Sequence, residues 1–388
     1  MRVLTFQDGA KSLKKSELFL VILILPALSY SKPRPPNIRV RIAKSLSKVE
    51  ISGMDLKKEI YPLRKSKDYS GRKAIHFNCH SKNSLKKPLL FASLKSKTGL
   101  ISLKDEKFKG ELLIVTSGKS GKCDVVNKTT LENYLSSLLS KEMNASWPLE
   151  VLKAQAVAAR TYAYHKIKTR EVSRIKGHET FYDLESSEKH QVGGNFFDAT
   201  WKTVRATKDT KGEILTNKKG KITPIFFHAS CGGKTLRPDQ VWENVVDGYK
   251  SVKCPGCKVR KNKKWKKTLS INRFNNFLSW VKKGKISSKS IIRIAPDKSN
   301  KANLRVYVNE NIILVAKSHF RRYFGRFKFP SNHFKVTKIR NIIKFSGNGL
   351  GHGVGMCQLG SLGLAKKGWN YKKILAHYFP GHKLKNIY

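Results

Sequence analysis

Glu142 stands where two helical patterns meet, and a carboxyl group half-buried at such a junction is raised in pKa and suited to donating a proton. Other residues also have types and spacing that can do chemistry. His352 lies among Gly351, Gly353 and Gly355, with Gln358 close behind. Glycines there let backbone approach a ligand and adopt positive φ, and the amide of Gln358 can bond a ligand's hydroxyl or amide group; a tight turn with a structural His and Gln fits equally. Lys153 and Arg160 recur on one helix face and can hold a carboxylate, or form a solvated face. His228-x-x-Cys231 with Cys254-Pro-Gly-Cys257 offers one imidazole and three thiolates to a tetrahedral zinc. The six cysteines are also an even count, which in an oxidising compartment pairs as disulfides, so both readings stay open.

The elements that must position these groups can be read from periodicity. Leu131, Tyr134, Leu135, Leu138 and Leu139 recur at helical spacing, with Thr129 and Glu132 as a capping box at the start. Asn144-Ala145-Ser146 breaks the pattern, and Ser146 can cap a second helix over Trp147 to His165 that tolerates Pro148 in its first turn. Ala154, Ala156, Ala158, Ala159 and Ala163 permit close packing of that helix, while Gln155, Arg160 and Tyr164 supply polar ends. Ile38, Val40 and Ile42 alternate as a strand. Residues 52–120 are Lys- and Ser-rich with short β-like runs. A helix is expected over Ile271 to Val281, then strands at Leu304 to Val308, Ile312 to Val315 and Phe334 to Val336. Gly368 stops one C-terminal helix and Asn370 caps the next. Strands and helices are segregated, so the fold class is α+β: a mixed β-rich core, a helical hairpin carrying Glu142, and a Gly-rich turn followed by C-terminal helices.

The 388 residues suffice for two domains or one elaborated domain, and a 39% hydrophobic fraction excludes a disordered chain. Lys11, Lys14 and Lys15 precede the apolar run Leu18 to Leu28, with small residues at Ser29 and Ser31, which reads as a signal peptide over residues 1–31 and an exported protein of the periplasm or cell wall. Lys32-Pro33-Arg34-Pro35-Pro36 then forms a stiff basic linker. The net charge is +53, and removal of residues 1–31 takes away four positive and two negative side chains, leaving +51. Such a field attracts polyanions. For an exported chain these are anionic lipid, envelope polymer or acidic glycan, and nucleic acid is excluded as a partner.

Two distant segments, Leu139-Ser140-Lys141-Glu142-Met143-Asn144-Ala145-Ser146-Trp147-Pro148 with Ala154 to Tyr162, and Gly351-His352-Gly353-Val354-Gly355-Met356-Cys357-Gln358 with Ala376-His377-Tyr378-Phe379-Pro380-Gly381, together resemble the SpoIID/LytB family of cell-wall proteins. Tyr182-Asp183-Leu184, His190-Gln191-Val192, Phe227-His228-Ala229-Ser230-Cys231-Gly232-Gly233 and Arg321-Arg322-Tyr323-Phe324-Gly325 fit in order between them. The resemblance spans about Cys123 to Tyr388, which divides the chain into a leader (1–31), an N-terminal β-rich basic region (32–120) and a family-like domain (121–388) with a β-rich insertion around 265–345. It implies a peptidoglycan lytic transglycosylase with Glu142 as the catalytic acid; some relatives are described instead as enhancers of cell-wall amidases, which makes an amidase a possible partner. Substrate-binding residues are then expected at Lys153, Gln155, Arg160, Tyr164, Gln191, His228, Ser230, His352 and Gln358. Zinc-binding members of the family carry a Cys and then His-Cys within the segment matching Asp183 to Gln191; here Leu184, Glu185 and Lys189 offer neither, so that metal site is absent. No cofactor is required for acid–base glycan cleavage, and zinc enters only through His228, Cys231, Cys254 and Cys257.

One carboxylate suffices for that chemistry. Ordinary glycosidases need two, because a water or a nucleophile must be activated opposite the acid. A lytic transglycosylase uses the C6 hydroxyl of its own substrate, so one Glu protonates the leaving oxygen and then, as carboxylate, takes the hydroxyl proton. Glu142 is expected to have both roles, its pKa raised by partial burial against Met143 and Trp147.

Overall fold

The computed structural model describes residues 33–79, 88–116, 121–175, 180–186, 196–242, 245–259, 264–286, 291–300 and 302–388. The leader and Gln191 lie outside these. Residues Arg34–Tyr388 form one compact unit.

Strands β1 (Asn37–Leu46), β2 (Lys48–Ile60), β3 (Lys65–Asn78), β4 (Leu90–Leu103), β5 (Glu106–Thr116), β6 (Cys123–Thr130) and the short β7 (Leu184–Glu185) build one sheet in the order β3-β2-β4-β5-β6-β1-β7. All neighbours are antiparallel except β1 and β7. The Lys- and Ser-rich stretch over 52–120, read as short β-like runs, carries most of four long strands, β2 to β5, with alternation inside it: Leu94 and Ser96 are buried while Lys95 between them is exposed. Val49, Ile51, Phe77, Leu94, Ile101 and Ile114 join one core, pinned by the disulfide Cys79–Cys123.

β6 runs straight into α1 (Leu131–Glu142). The cap is Thr130, one residue later than expected, its hydroxyl accepting from the Asn133 N–H at 3.3 Å. Glu132 is thereby released from capping and pairs elsewhere. Met143 is extended and ends the helix, leaving Glu142 as the last helical residue. Asn144 Oδ1 accepts from the Ser146 N–H at 2.9 Å, turning the chain into α2 (Leu149–Ile175), which is longer than its periodicity suggested. Ala154, Ala156, Ala158, Ala159 and Ala163 are all fully buried, and α1, α3 (Trp201–Asp209) and the C-terminal helices close around them. β8 (Glu213–Asn217) and β9 (Phe227–His228) follow.

Next comes a separate lobe: β10 (Lys264–Ser270), α4 (Ile271–Lys282), β11 (Ile291–Pro296), β12 (Asn303–Val308), β13 (Asn311–Ala316), α5 (Lys317–Phe324), β14 (Phe334–Ile339) and β15 (Ile342–Asn348). It has two three-stranded sheets and its own aromatic core, with Phe277 and Phe320 ring centroids 4.3 Å apart and Phe274, Phe329, Phe334 and Phe345 around them. β16 (Met356–Cys357) pairs in parallel with β9, setting Cys357 opposite His228. The chain ends with α6 (Gln358–Ala365), α7 (Tyr371–Tyr378), capped by Asn370 as expected, and β17 (His382–Asn386) on β8. The α+β class expected from the sequence is the observed one. No helix among the described residues is long and apolar enough to cross a membrane.

Candidate active site

Glu142 opens onto a cavity of about 990 Å³ between the α1 end, the β9 segment, the Gly-rich turn and helix α5 of the inserted lobe. Each wall has a local cause. The Gly-rich turn bends because Gly351, Gly353 and Gly355 sit at φ of 107°, 84° and 73°, which other residues rarely adopt. A Cβ on Gly355 would also strike the Phe226 carbonyl, so the turn can lie flat against β9 only without one. Tyr162, Phe226 and Trp242 give the cavity an aromatic face. Helix α5 is amphipathic in the literal sense here: Phe320 enters the lobe core, while Arg321 and Arg322, with Arg326 beyond, reach the cavity.

Glu142 is half-buried, and its backbone carbonyl accepts from Gln358 Nε2 at 3.3 Å. Gln358 also reaches Gln155 Oε1 at 3.5 Å, so Gln155 is buried behind the cavity wall and holds Gln358 instead of meeting a ligand itself. Tyr134 lies beneath the carboxylate; its phenol is pushed well above the usual value by burial and then by the charge of Glu142. Among the described residues lining the cavity, Glu142 is the only acid.

Of the three histidines on the wall, His228 and His352 are neutral at ordinary pH, and for different purposes. His352 donates through Nε2 to the Phe227 carbonyl at 2.9 Å and accepts through Nδ1 from the Val354 N–H at 3.1 Å, so both ring nitrogens clamp the turn. Its pKa is well below the usual value, chiefly through burial. His228 donates through Nδ1 to the Val354 carbonyl at 3.0 Å, which leaves Nε2 a buried acceptor without a hydrogen-bond partner. Burial lowers His228 to about 4.

The remaining sequence-expected residues are placed elsewhere. Arg160 is fully buried: its guanidinium forks onto both oxygens of Glu132 at 2.9 Å and donates to the Thr207 and Glu213 carbonyls at 3.2 Å, so it has no donor to spend on a glycan. Lys153 bridges Glu150 at 3.2 Å and Asp209 at 3.1 Å on the α3 side. The helix face read as a carboxylate site is thus the face that α3 covers. Tyr164 packs near Lys168, and Ser230 is buried in a backbone bridge to Leu350; neither lines the cavity. Trp147 packs with Leu139 and Met143 behind the helix junction. His228 takes no part in the cysteine grouping: the fourth thiol beside Cys231, Cys254 and Cys257 is Cys357. Sequence reasoning missed Tyr162 and Trp242 as cavity residues. It quoted Arg321 and Arg322 only as part of a motif, although adjacent arginines before an aromatic pair in a basic chain were the available signal.

The buried histidines make stability acid-sensitive. His382, bonded through Nε2 to Thr223 Oγ1 at 3.0 Å, is also lowered to about 4 by burial. The unfolded chain protonates these rings near 6.5 while the folded chain resists until about 4, so stability is full above the former and falls as pH drops towards the latter. The loss is at most about 3 kcal/mol per ring. Urea unfolding across that window should show the fall, and His382→Gln should make it smaller; an unchanged midpoint in the parent protein would contradict neutral burial.

Comparison with known proteins places this geometry in a class. The sequence model of the SpoIID family, described as Stage II sporulation protein, matches residues 119–217, the stretch from β6 to β8 that carries Glu142. The chain belongs to that family. It is 37% identical over 260 residues to an uncharacterised protein of Brachyspira hyodysenteriae, covering 66% of this chain and 67% of that one. It is 27% identical over 264 residues to Stage II sporulation protein D of Bacillus amyloliquefaciens, covering 66% and 74%. It is 28% identical over 298 residues to the amidase enhancer of Bacillus subtilis, covering 64% of this chain and 40% of that longer protein.

Proposed function

We propose that the protein is an exported lytic transglycosylase that cleaves peptidoglycan between N-acetylmuramic acid and N-acetylglucosamine. The observation that carries this reading is the lone acid: Glu142 is the only carboxylate among the described residues lining a cavity large enough for several sugar rings. A hydrolase of the ordinary kind needs a second carboxylate across the cleft. An enzyme that turns the substrate's own hydroxyl into the nucleophile does not.

In this mechanism protonated Glu142 gives its proton to the glycosidic oxygen as the bond to the anomeric carbon breaks. The C6 hydroxyl of the muramyl ring attacks that carbon, its proton passes to the Glu142 carboxylate, and an anhydro ring is left with the acid restored. Trp242 offers a ring for a sugar face. Arg321, Arg322 and Arg326 suit the muramyl carboxylates of an anionic strand.

The test is incubation of the purified protein with peptidoglycan, with and without its stem peptides, followed by mass spectrometry of the released sugars. Products ending in anhydro-muramic acid support the reading, and intact strands under all conditions would sink it. The name of the B. subtilis relative favours a second reading, a non-catalytic partner of a cell-wall amidase; stimulation of an amidase without any anhydro product is its expected result.

A further inference from the structure

Outside the cavity, the four cysteines not joined in the disulfide form a cluster that the proposed glycan chemistry does not use. Cys231 lies in the loop after β9, Cys254 and Cys257 flank the Pro255-Gly256 turn, and Cys357 ends β16 and caps α6; all four are buried and their sulfurs lie within 4.8 Å of one another. We propose that Cys231, Cys254, Cys257 and Cys357 are the four ligands of a structural zinc ion that ties the two walls of the cavity together.

The arrangement of the sulfurs carries the inference. Cys257 Sγ has three near-equal neighbours, Cys254 at 3.2 Å, Cys231 at 3.3 Å and Cys357 at 3.3 Å. A disulfide joins one sulfur to one other at about 2.0 Å and leaves the remaining pair turned away. Four thiolates about 2.3 Å from a tetrahedral zinc stand about 3.8 Å apart. The cluster needs only a small outward breath to reach that spacing, and it has the full set of ligands with no open position, as structural zinc sites do.

The surroundings favour thiolates. Cys357 Sγ accepts from the Cys231 N–H at 3.3 Å and the Gly360 N–H at 3.2 Å, and the Tyr378 hydroxyl lies 3.1 Å from Cys254 Sγ. Such donors disperse the negative charge of a tetrathiolate centre and orient its ligands. The turn between Cys254 and Cys257 is pressed onto α6 so closely that a Cβ on Gly256 would collide with the Gly360 carbonyl. The metal would join three chain segments at one point. Two of them bear cavity residues: His228 three positions before Cys231, and Gln358 next to Cys357.

Metal content tests this independently of any activity. The full chain, purified without reductant and analysed by inductively coupled plasma mass spectrometry, is expected to hold about one zinc per molecule. Alkylation should leave Cys79 and Cys123 paired and modify the other four only after a chelator and denaturant are added. Cys231→Ser and Cys357→Ser should each lose the zinc, and Cys79→Ser should keep it. Where a variant does not fold, cobalt refolded into the parent chain should give the intense visible spectrum of a tetrahedral tetrathiolate centre. A zinc-free protein with two further disulfides overturns the proposal, and so does stoichiometric iron.

Discussion

Glu142→Gln should abolish strand cleavage while leaving the fold and glycan binding intact. The amide keeps the size and most hydrogen bonds of the carboxyl group, but it can neither give a proton to the leaving oxygen nor take one from the C6 hydroxyl. A positioned acid or base contributes about 10²- to 10⁴-fold to a rate, and here one group serves in both directions, so a loss of at least about 10³-fold is expected. The measurement is release of anhydro-ended fragments by the variant, set beside its retention on insoluble peptidoglycan. Retention without release is the expected pair. Unchanged release would remove the single acid from the mechanism, and the backbone bond from Gln358 to residue 142 gives no alternative proton donor.

Arg160→Met should cost about 3–5 kcal/mol of folding stability, because it strands the partly buried Glu132 carboxylate with its charge uncompensated. Glu132 also accepts from Tyr388 and the Gly212 N–H, so the loss reaches the C-terminal strand as well. The midpoint of denaturant unfolding reads the effect directly, and Glu132→Leu in the Arg160→Met background should recover part of it. Below its melting range the single variant should keep the parental KM for glycan. A large rise in KM with unaltered stability would return Arg160 to the substrate-binding role that its helix position suggested.

That contrast shows which parts of the molecule sequence alone could carry. Local signals were legible: the leucine spacing of α1, the break at Asn144, the cap at Asn370 and the alternation at Ile38 to Ile42 all depend on residues close in the chain. Which face of α2 would be covered was not, since α3 packs there from some 50 residues away and turns Lys153 and Arg160 inward. The long strands β2 to β5 were hidden by lysines on their outer faces. Cys357 could not be grouped with Cys254 and Cys257 because 100 residues of chain, including a whole lobe, separate it from its partners. Nothing local set Tyr162 and Trp242 apart, because the turn at Gly351 that borders the same cavity lies far along the chain.

The inserted lobe begins and ends on neighbouring strands, with Lys264 directly opposite Asn348. Its two attachment points are therefore side by side, and the lobe touches its host again at the Gly-rich turn, where the Gly351 N–H donates to the Pro330 carbonyl at 2.8 Å and Asn332 Nδ2 to the His352 carbonyl at 3.3 Å. Away from that contact the lobe can be lengthened or trimmed with little strain on its host. The lobe brings Arg321 and Arg322 to the cavity while Glu142 belongs to the host, so under the proposed function choice of polymer and breaking of the bond would rest on parts that can diverge separately.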